Sequence, residues 1–567
     1  MNKRKTEHGT QNAEFRRSTL NFRPRSSVLS LLLSVFGLLA GCEQVFDDHK
    51  SDRVSFAPER FRAVETLDLT RAKDQKNDRT DVNDANAVPA KEVALTLEQC
   101  RAMTLENNLD LKVQLISPAI AAEKVSEQEA QFEAAFFSNV RYGKTDTPVA
   151  SLLEISGTQL EYSSVDLGTR IPLQTGGTIT FDVADTRTKT NSLFSVFNPS
   201  YGSDASLSIS QPLLRGAGTR VNTYAIRIAE YEQQITDART KLEVIRAIAA
   251  VDRVYWRLYA ARRELEVREQ QYKLAQALYE QAKRFVAAGD KPSVEITRAE
   301  AGVAERLEAI IVSENSLRDR QRELKRTLHK AGLEMRTPTA LIPATQPDPI
   351  RYDIQKDRMV ATAMENRMEM LELELQIAED VATVDYMENQ ALPLVTMDYT
   401  YNVNGLGATR NDSFDLLLDK RFEDHRFGLQ LLVPLGNEAA KSRLRQALYQ
   451  RRQRLASKDS REAQIELEVL NAIDQLEANW QRVLASRQRS ILDGRLHEAE
   501  QRQFELGMRT ATDVLQAQAN FANAQSSEIL ALAEYQIALV DLSYATGTLL
   551  GAAKVRWEPI VPSGDMP

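Results

Sequence analysis

Two hydrophobic periods alternate along this chain. Ile248, Val251, Tyr255 and Leu258 recur at spacings of 3, 4 and 3, and Ile473, Leu476, Trp480 and Val483 repeat that spacing. Such a seam predicts long helices that pack as coiled coils. Between Phe136 and Leu213 the period falls to two. Ile179, Phe181 and Val183 alternate there with Thr178, Thr180 and Asp182, and Leu207 and Ile209 alternate with Ser206, Ser208 and Ser210. The same period returns in Val395, Met397, Tyr399, Tyr401 and Val403, and in Phe427, Leu429, Leu431 and Val433. These runs predict strands with one apolar and one wet face. The apolar face points inward in a soluble sandwich and outward to lipid in a membrane barrel, and alternation alone fits both.

Punctuation divides the helical stretches. Thr96-Leu97-Glu98-Gln99 reads as a capped start, predicting a helix to about Ala135 with a kink at Pro118. A helix of about 75 residues follows Pro212 and is broken by Gly289-Asp290-Lys291-Pro292, after which Ser293 opens another to about His329. The order then recurs. Glu106-Asn107-Asn108-Leu109-Asp110-Leu111 is answered by Glu365-Asn366-Arg367-Met368-Glu369-Met370, and Gln211-Pro212-Leu213 by Val433-Pro434-Leu435. Gly507 breaks the last long helix as Gly289 breaks the first, and at that offset Glu295 matches Asp513, Ile296 matches Val514 and Ala299 matches Ala517. An internal duplication explains this. Two short helices end to end match one long helix at roughly 105 to 115 Å, given a 1.5 Å rise, and a rod of that length needs neighbours to bury its seams.

The amino terminus carries basic residues up to Arg25, then an apolar run from Val28 to Ala40 that is too short to span a bilayer as a helix, the pattern of a secretory signal. It ends in Leu39-Ala40-Gly41-Cys42, which resembles a bacterial lipobox with Cys42 as the acylated residue; an ordinary signal peptide with an incidental cysteine is the other reading. Glu43 in place of Asp suits outer-membrane delivery. The predicted organisation is a leader over 1–41, a lipid-anchored tether over 42–93, repeat one over 94–335 with its hairpin region at 136–213, repeat two over 336–551 with its hairpin region at 394–434, and a tail over 552–567.

Composition removes other classes. A net charge of −8 leaves no basic excess for a phosphate backbone, so nucleic acid is not an expected partner. Two cysteines build no disulfide framework, and five scattered histidines lack ligand spacing, so no metal or cofactor is expected. There is no Walker motif, no Gly-x-Ser-x-Gly and no clustered catalytic set, so an enzyme is not expected. Cys100, Trp256 and Trp480 fall at packing positions.

The opening Leu95-Thr96-Leu97-Glu98 through Asn107-Asn108, the strand exit Gln211-Pro212-Leu213-Leu214-Arg215-Gly216, and the breaks Gly289 to Ala299 and Gly507 to Ala517 together resemble the TolC family of outer-membrane efflux proteins, across roughly residues 94 to 551. The lipobox resembles that family's lipoprotein branch. The resemblance implies a mainly α fold with a membrane β-barrel: a homotrimer in which each protomer gives four strands to one twelve-stranded barrel and duplicated coiled-coil hairpins to a periplasmic tunnel. It implies a passive exit duct of a tripartite efflux or type I secretion system, with a periplasmic adaptor, an inner-membrane transporter and outer-membrane lipid as partners. By the same resemblance, Glu295, Asp513, Gln516, Arg509 and Phe504 belong to the periplasmic constriction, and the turns at Gly289 and Gly507 meet the adaptor; for Glu295 and Asp513 the other reading is an acid in the first turn of a helix, complementing its dipole. The first hairpin region departs from the family, because Leu160 to Leu173 and Thr178 to Val183 are either extra strands or an external flap. The rival reading is a lipid-anchored periplasmic coiled-coil protein without a channel.

Overall fold

The computed structural model describes residues 92–148 and 158–558. The leader, Cys42 and almost all of the tether lie outside the described residues, which fall within one compact unit, Ala87–Pro567. The chain opens with strand β1 (Glu92–Leu95), then α1 (Leu97–Asn107), α2 (Leu109–Gln114) and α3 (Ser117–Glu129). Thr96 caps α1 through a capping box with Gln99. The single kinked helix expected from 96 to 135 is instead cut twice. Asn108 leaves the helical region (φ −60°, ψ 123°), and its side chain accepts from Leu111 N–H to start α2. Pro118 sits in the first turn of α3, where its missing N–H costs nothing.

Four strands follow: β2 (Ala135–Asp146), β3 (Gln159–Pro172), β4 (Thr178–Thr190) and β5 (Ser200–Pro212). Gly216 and Gly218, both at positive φ, then turn the chain through α4 (Thr219–Asn222) into α5 (Tyr224–Ala287). That turn is why α5 has 64 residues rather than 75. Helix α6 (Val294–Leu328) folds back along α5, and β6 (Ala340–Pro343) closes the first half.

The second half comprises α7 (Lys356–Asn366), α8 (Met368–Gln390), β7 (Leu394–Gly407), a short α9 (Arg410–Leu418), β8 (Glu423–Leu432), α10 (Glu438–Glu505), α11 (Ala511–Ala545) and α12 (Leu549–Ala552). The duplication is visible in the breaks. Arg367 leaves the helical region between α7 and α8 (φ −73°, ψ 128°) at the position matching Asn108. Helices α6 and α11 both have 35 residues, and α10 has 68. The long helices are each about 100 Å at a 1.5 Å rise.

The predicted seam residues form the core. Ile248, Val251, Tyr255 and Leu258 are fully buried, and Trp256 is nearly so. Tyr255 Oη donates to the Leu95 carbonyl at 3.1 Å and accepts from Thr345 N–H at 2.8 Å. It thereby ties α5 to the parallel pair β1–β6. Cys100 is buried beside this cluster, and burial pushes its thiol up to about 12, so it is an inert packing group.

Candidate channel wall and helical tip

Strands β2, β3, β4, β5, β7 and β8 form one six-stranded sheet in that order, every neighbour antiparallel. Leu160 to Leu173 and Thr178 to Val183 therefore fall in β3 and β4 of this one sheet, apart from Leu173 just past the end of β3, and the sheet has six strands where the resemblance implied four. Register fixes the faces. Ile171, Ile179, Ile209, Tyr399 and Phe427 form one row across five strands. The adjacent row on the opposite face is Arg170, Thr180, Ser208, Thr400 and Arg426. The apolar row stays uncovered, with Phe427 70% and Ile171 39% exposed. A soluble sandwich would bury such a face under a second layer. The polar face is knitted by side-chain bonds such as Ser208 Oγ to Thr400 Oγ1 at 3.0 Å and Ser206 Oγ to Asp182 at 2.6 Å. Among the described residues no helix is long and apolar enough to cross a membrane. This sheet is the described element with the lipid-facing pattern of a barrel wall.

Helix α9, unforeseen in the sequence, packs on the apolar face at the sheet end remote from the long helices. Ser413 Oγ meets Ser203 Oγ at 2.9 Å in a buried contact, and Arg410 pairs with Asp185 at 2.8 Å. Gly405 permits this approach, since a Cβ there would lie 2.0 Å from the Ser413 carbonyl oxygen.

At the other end of the long helices the two breaks meet. Gly289 and Gly507 hold positive φ at the turns α5–α6 and α10–α11. Between them lies a small core of Leu278, Phe504, Ala511 and Val514, with Phe285 edge-on to Phe504 at 5.8 Å. Lys291 Nζ stands 3.3 Å from the Phe504 ring centroid and donates to the Arg509 carbonyl at 3.0 Å. Partial burial holds its ammonium below the usual lysine range, and Glu295 partly offsets that. Glu295, placed by resemblance in the constriction, is 4% exposed. Its Oε2 accepts from Ala511 N–H at 2.8 Å and its Oε1 from Arg298 at 2.6 Å. Its charge is therefore spent on the orphan N–H at the start of α11 and on Arg298. Phe504, likewise placed in the constriction, is fully buried within the protomer.

The matching residues of repeat two behave differently. Asp513 accepts from Thr510 N–H at 3.0 Å and Thr510 Oγ1 at 2.9 Å, completing a capping box on its own helix. These bonds hold its carboxyl below the usual range. Arg509 turns back to Gln503 at 3.0 Å and Glu500 at 3.1 Å, and Gln516 reaches Asn520 at 3.1 Å on the exposed face of α11. Repeat one thus reaches across to repeat two, whereas repeat two is satisfied internally. Lys291 was read in the sequence only as part of a break. Its signal was the repeat offset, which aligns it with Arg509.

Higher in the same hairpin, His497 is buried and stacked at 6.1 Å on Phe521, with no partner for Nδ1. Burial depresses its pKa from the ordinary 6.5, partly countered by Glu498. A depressed histidine leaves full stability above its unfolded pKa, and stability falls as acid forces a proton onto it. Thermal melting of the purified protein is expected to fall from pH 7 to pH 5, and His497→Phe is expected to remove part of that fall. An unchanged pH profile in the variant would show that His497 is not the group responsible.

A profile of the outer membrane efflux protein family matches residues 178–328 and 359–548, more than half of the chain, and the chain belongs to that family. The family is one of outer-membrane channels rather than enzymes. The fold is similar to that of a membrane protein from Pseudomonas aeruginosa (17% identity, TM-score 0.60, covering 80% of this chain and 93% of that one). It is also similar to the Campylobacter jejuni CmeC outer membrane channel (13% identity, TM-score 0.60, covering 80% and 86%) and to the outer membrane protein VceC from Vibrio cholerae (13% identity, TM-score 0.59, covering 80% and 96%). No curated protein sequence matches the chain. This is an outer-membrane efflux channel protein.

Proposed function

We propose that the chain is acylated at Cys42 and works as a homotrimer, forming the passive exit duct of a tripartite efflux or type I secretion system. A periplasmic adaptor engages the turns at Gly289 and Gly507, an inner-membrane transporter supplies the energy, and the barrel delivers cargo across the outer membrane. One observation carries the trimer. Leu109 and Val113 of α2, Ile116 in the turn that follows and Ile120 of α3 are at least half exposed at spacings of 4, 3 and 4, and Leu448, Leu455, Leu484 and Ile491 of α10 are also exposed in heptad pairs. Apolar seams of this kind need partner helices, and copies of the same chain supply them. At the tip, Asp513 and Gln516 are the residues to face the axis, Phe504 is the packed base of the turn, and Arg509 and Glu295 hold the loops. Three Asp513 carboxylates around a narrow axis favour cations and repel one another.

Single-channel recording in planar bilayers tests the reading. Small, cation-preferring currents are expected from the purified lipidated protein, with weaker cation preference in Asp513→Ala. A folded protein that conducts in neither form would leave the lipid-anchored coiled-coil role instead. Palmitate labelling that survives Cys42→Ser would remove the anchor.

A further inference from the structure

We infer that the barrel of this channel has eighteen strands rather than twelve, because β2 of each copy pairs with β8 of the next; the inference rests on the trimeric exit-duct reading above. The sheet ends in two open edges, β2 with 12 residues and β8 with 10. Both are exposed along nearly their whole length, while β4, β5 and β7 between them are largely half-buried. An unpaired edge in hydrocarbon leaves several backbone N–H and C=O groups without partners, so a wall of this kind must close. A second copy fits each edge on three counts. Strand β2 leaves the helical end and β8 returns to it, so neighbours across the seam are antiparallel, as everywhere else in the sheet. The lengths agree to within two residues. The apolar face also continues across the seam, with Val140 and Tyr142 on β2 and Phe427 and Leu429 on β8 all strongly exposed.

The β2–β3 hairpin is built into the wall rather than hung outside it. Strands β2 and β3 are paired along 12 successive positions, and β3 and β4 along 13. The β3–β4 turn is pinned to the junction with the helices: Gly218 N–H donates to the Thr175 carbonyl at 3.0 Å, and Gln211 Nε2 donates to the same carbonyl at 3.1 Å. A Cβ on Gly176 would come within 2.2 Å of the Gly216 carbonyl oxygen, so turn and junction are in direct contact. The family profile begins at residue 178, the first of β4, so β2 and β3 lie ahead of the matched segment. Barrel diameter grows roughly linearly with strand number, and barrels of 16 to 18 strands leave an aqueous channel. Each copy still contributes only two long helical hairpins to the tunnel. The outer-membrane segment is then about half again as wide as a twelve-stranded one, and exclusion of cargo falls on the helical tip.

The test uses the full lipidated chain in detergent, imaged by electron cryo-microscopy, together with paired cysteines. Val140→Cys is combined in turn with His425→Cys, Phe427→Cys and Leu429→Cys. In a parallel set, Phe181→Cys on β4 is combined with the same three. Directly opposed antiparallel residues come close enough for a disulfide, and Cys100 is buried and adds little background. Eighteen strands in the map, with a covalent dimer and trimer ladder on non-reducing gels from a Val140 pair and none from the Phe181 pairs, are expected. Twelve strands, with β2 and β3 off the wall and ladders only from a Phe181 pair, would overturn the inference while leaving the exit duct intact. Particles without threefold symmetry would sink the duct reading itself.

Discussion

Arg101→Ala is expected to destabilise the purified protein by about 3–5 kcal/mol, the range for leaving a buried charge without its partner. Arg101 of α1 makes two bonds to Asp252 of α5, Nε to Oδ1 at 2.8 Å and Nη2 to Oδ2 at 2.7 Å. The Asp252 side chain is wholly inaccessible, and that of Arg101 is 16% exposed. Burial lifts the Asp252 carboxyl above its ordinary range even with the guanidinium in place, so desolvation outweighs pairing. Without Arg101 the carboxyl must stay charged in a dry site or take up a proton. The deficit of the variant should therefore shrink as the pH falls. The double variant Arg101→Met with Asp252→Leu is expected to recover most of the loss, because an apolar pair escapes both desolvation penalties. Denaturant titration across pH 5 to 8 checks all three statements. A loss under about 1 kcal/mol, typical of surface ion pairs, would mean that water reaches Asp252 after all.

At the tip, Lys291→Met and Glu295→Ala are each expected to favour the open duct. Lys291 holds the α10–α11 turn through the Arg509 carbonyl and the Phe504 ring, and Glu295 holds the first turn of α11 through Ala511 N–H. A hydrogen bond to a charged group contributes about 1.5–3 kcal/mol, so losing one shifts a closed-to-open equilibrium by roughly 10- to 150-fold. Open probability in planar bilayers reads this directly. Asp513→Ala is the contrast, since its bonds lie within its own capping box. That change should alter ion preference more than opening. If Lys291→Met gates like the wild type while remaining folded, the bond between the turns does not control the tip.

The pair Lys291 and Glu295 also shows where sequence reasoning stopped. The offset between repeats aligns them with Arg509 and Asp513, and identical chemistry at matched positions suggests identical roles. The roles differ because two copies of one motif, brought face to face, cannot both reach outward. One takes the other's orphan N–H and carbonyl groups, and the other turns back on its own helix. The resemblance placed Glu295 beside Asp513 at the constriction, and a buried acid and an exposed one at the start of a helix have the same sequence signature.

The strands separate the two levels in another way. Alternation is a property of single residues on a pleated ribbon, and it located β4, β5, β7 and β8 and their apolar face from the chain alone, but not β2. The seams at Ile248 to Leu258 and Ile473 to Val483, the glycine breaks and the duplication were legible for the same reason, since each follows from a local period or a backbone preference. Strand number was not, because joining β3 and β4 to the wall depends on pairing across registers that no local pattern encodes. The pairing of Glu92–Leu95 with Ala340–Pro343 escaped for that reason too: four-residue strands nearly 250 positions apart carry no local sign of each other. The cuts at Asn108 and Arg367 escaped because neither residue breaks a helix by itself; Asn108 is held by the Thr327 carbonyl and Arg367 by Glu369 and Glu468. Periodicity along the chain determined which elements form and which faces are apolar. Only the tertiary structure decided which elements meet, because the free energy of meeting is set by partners remote in sequence.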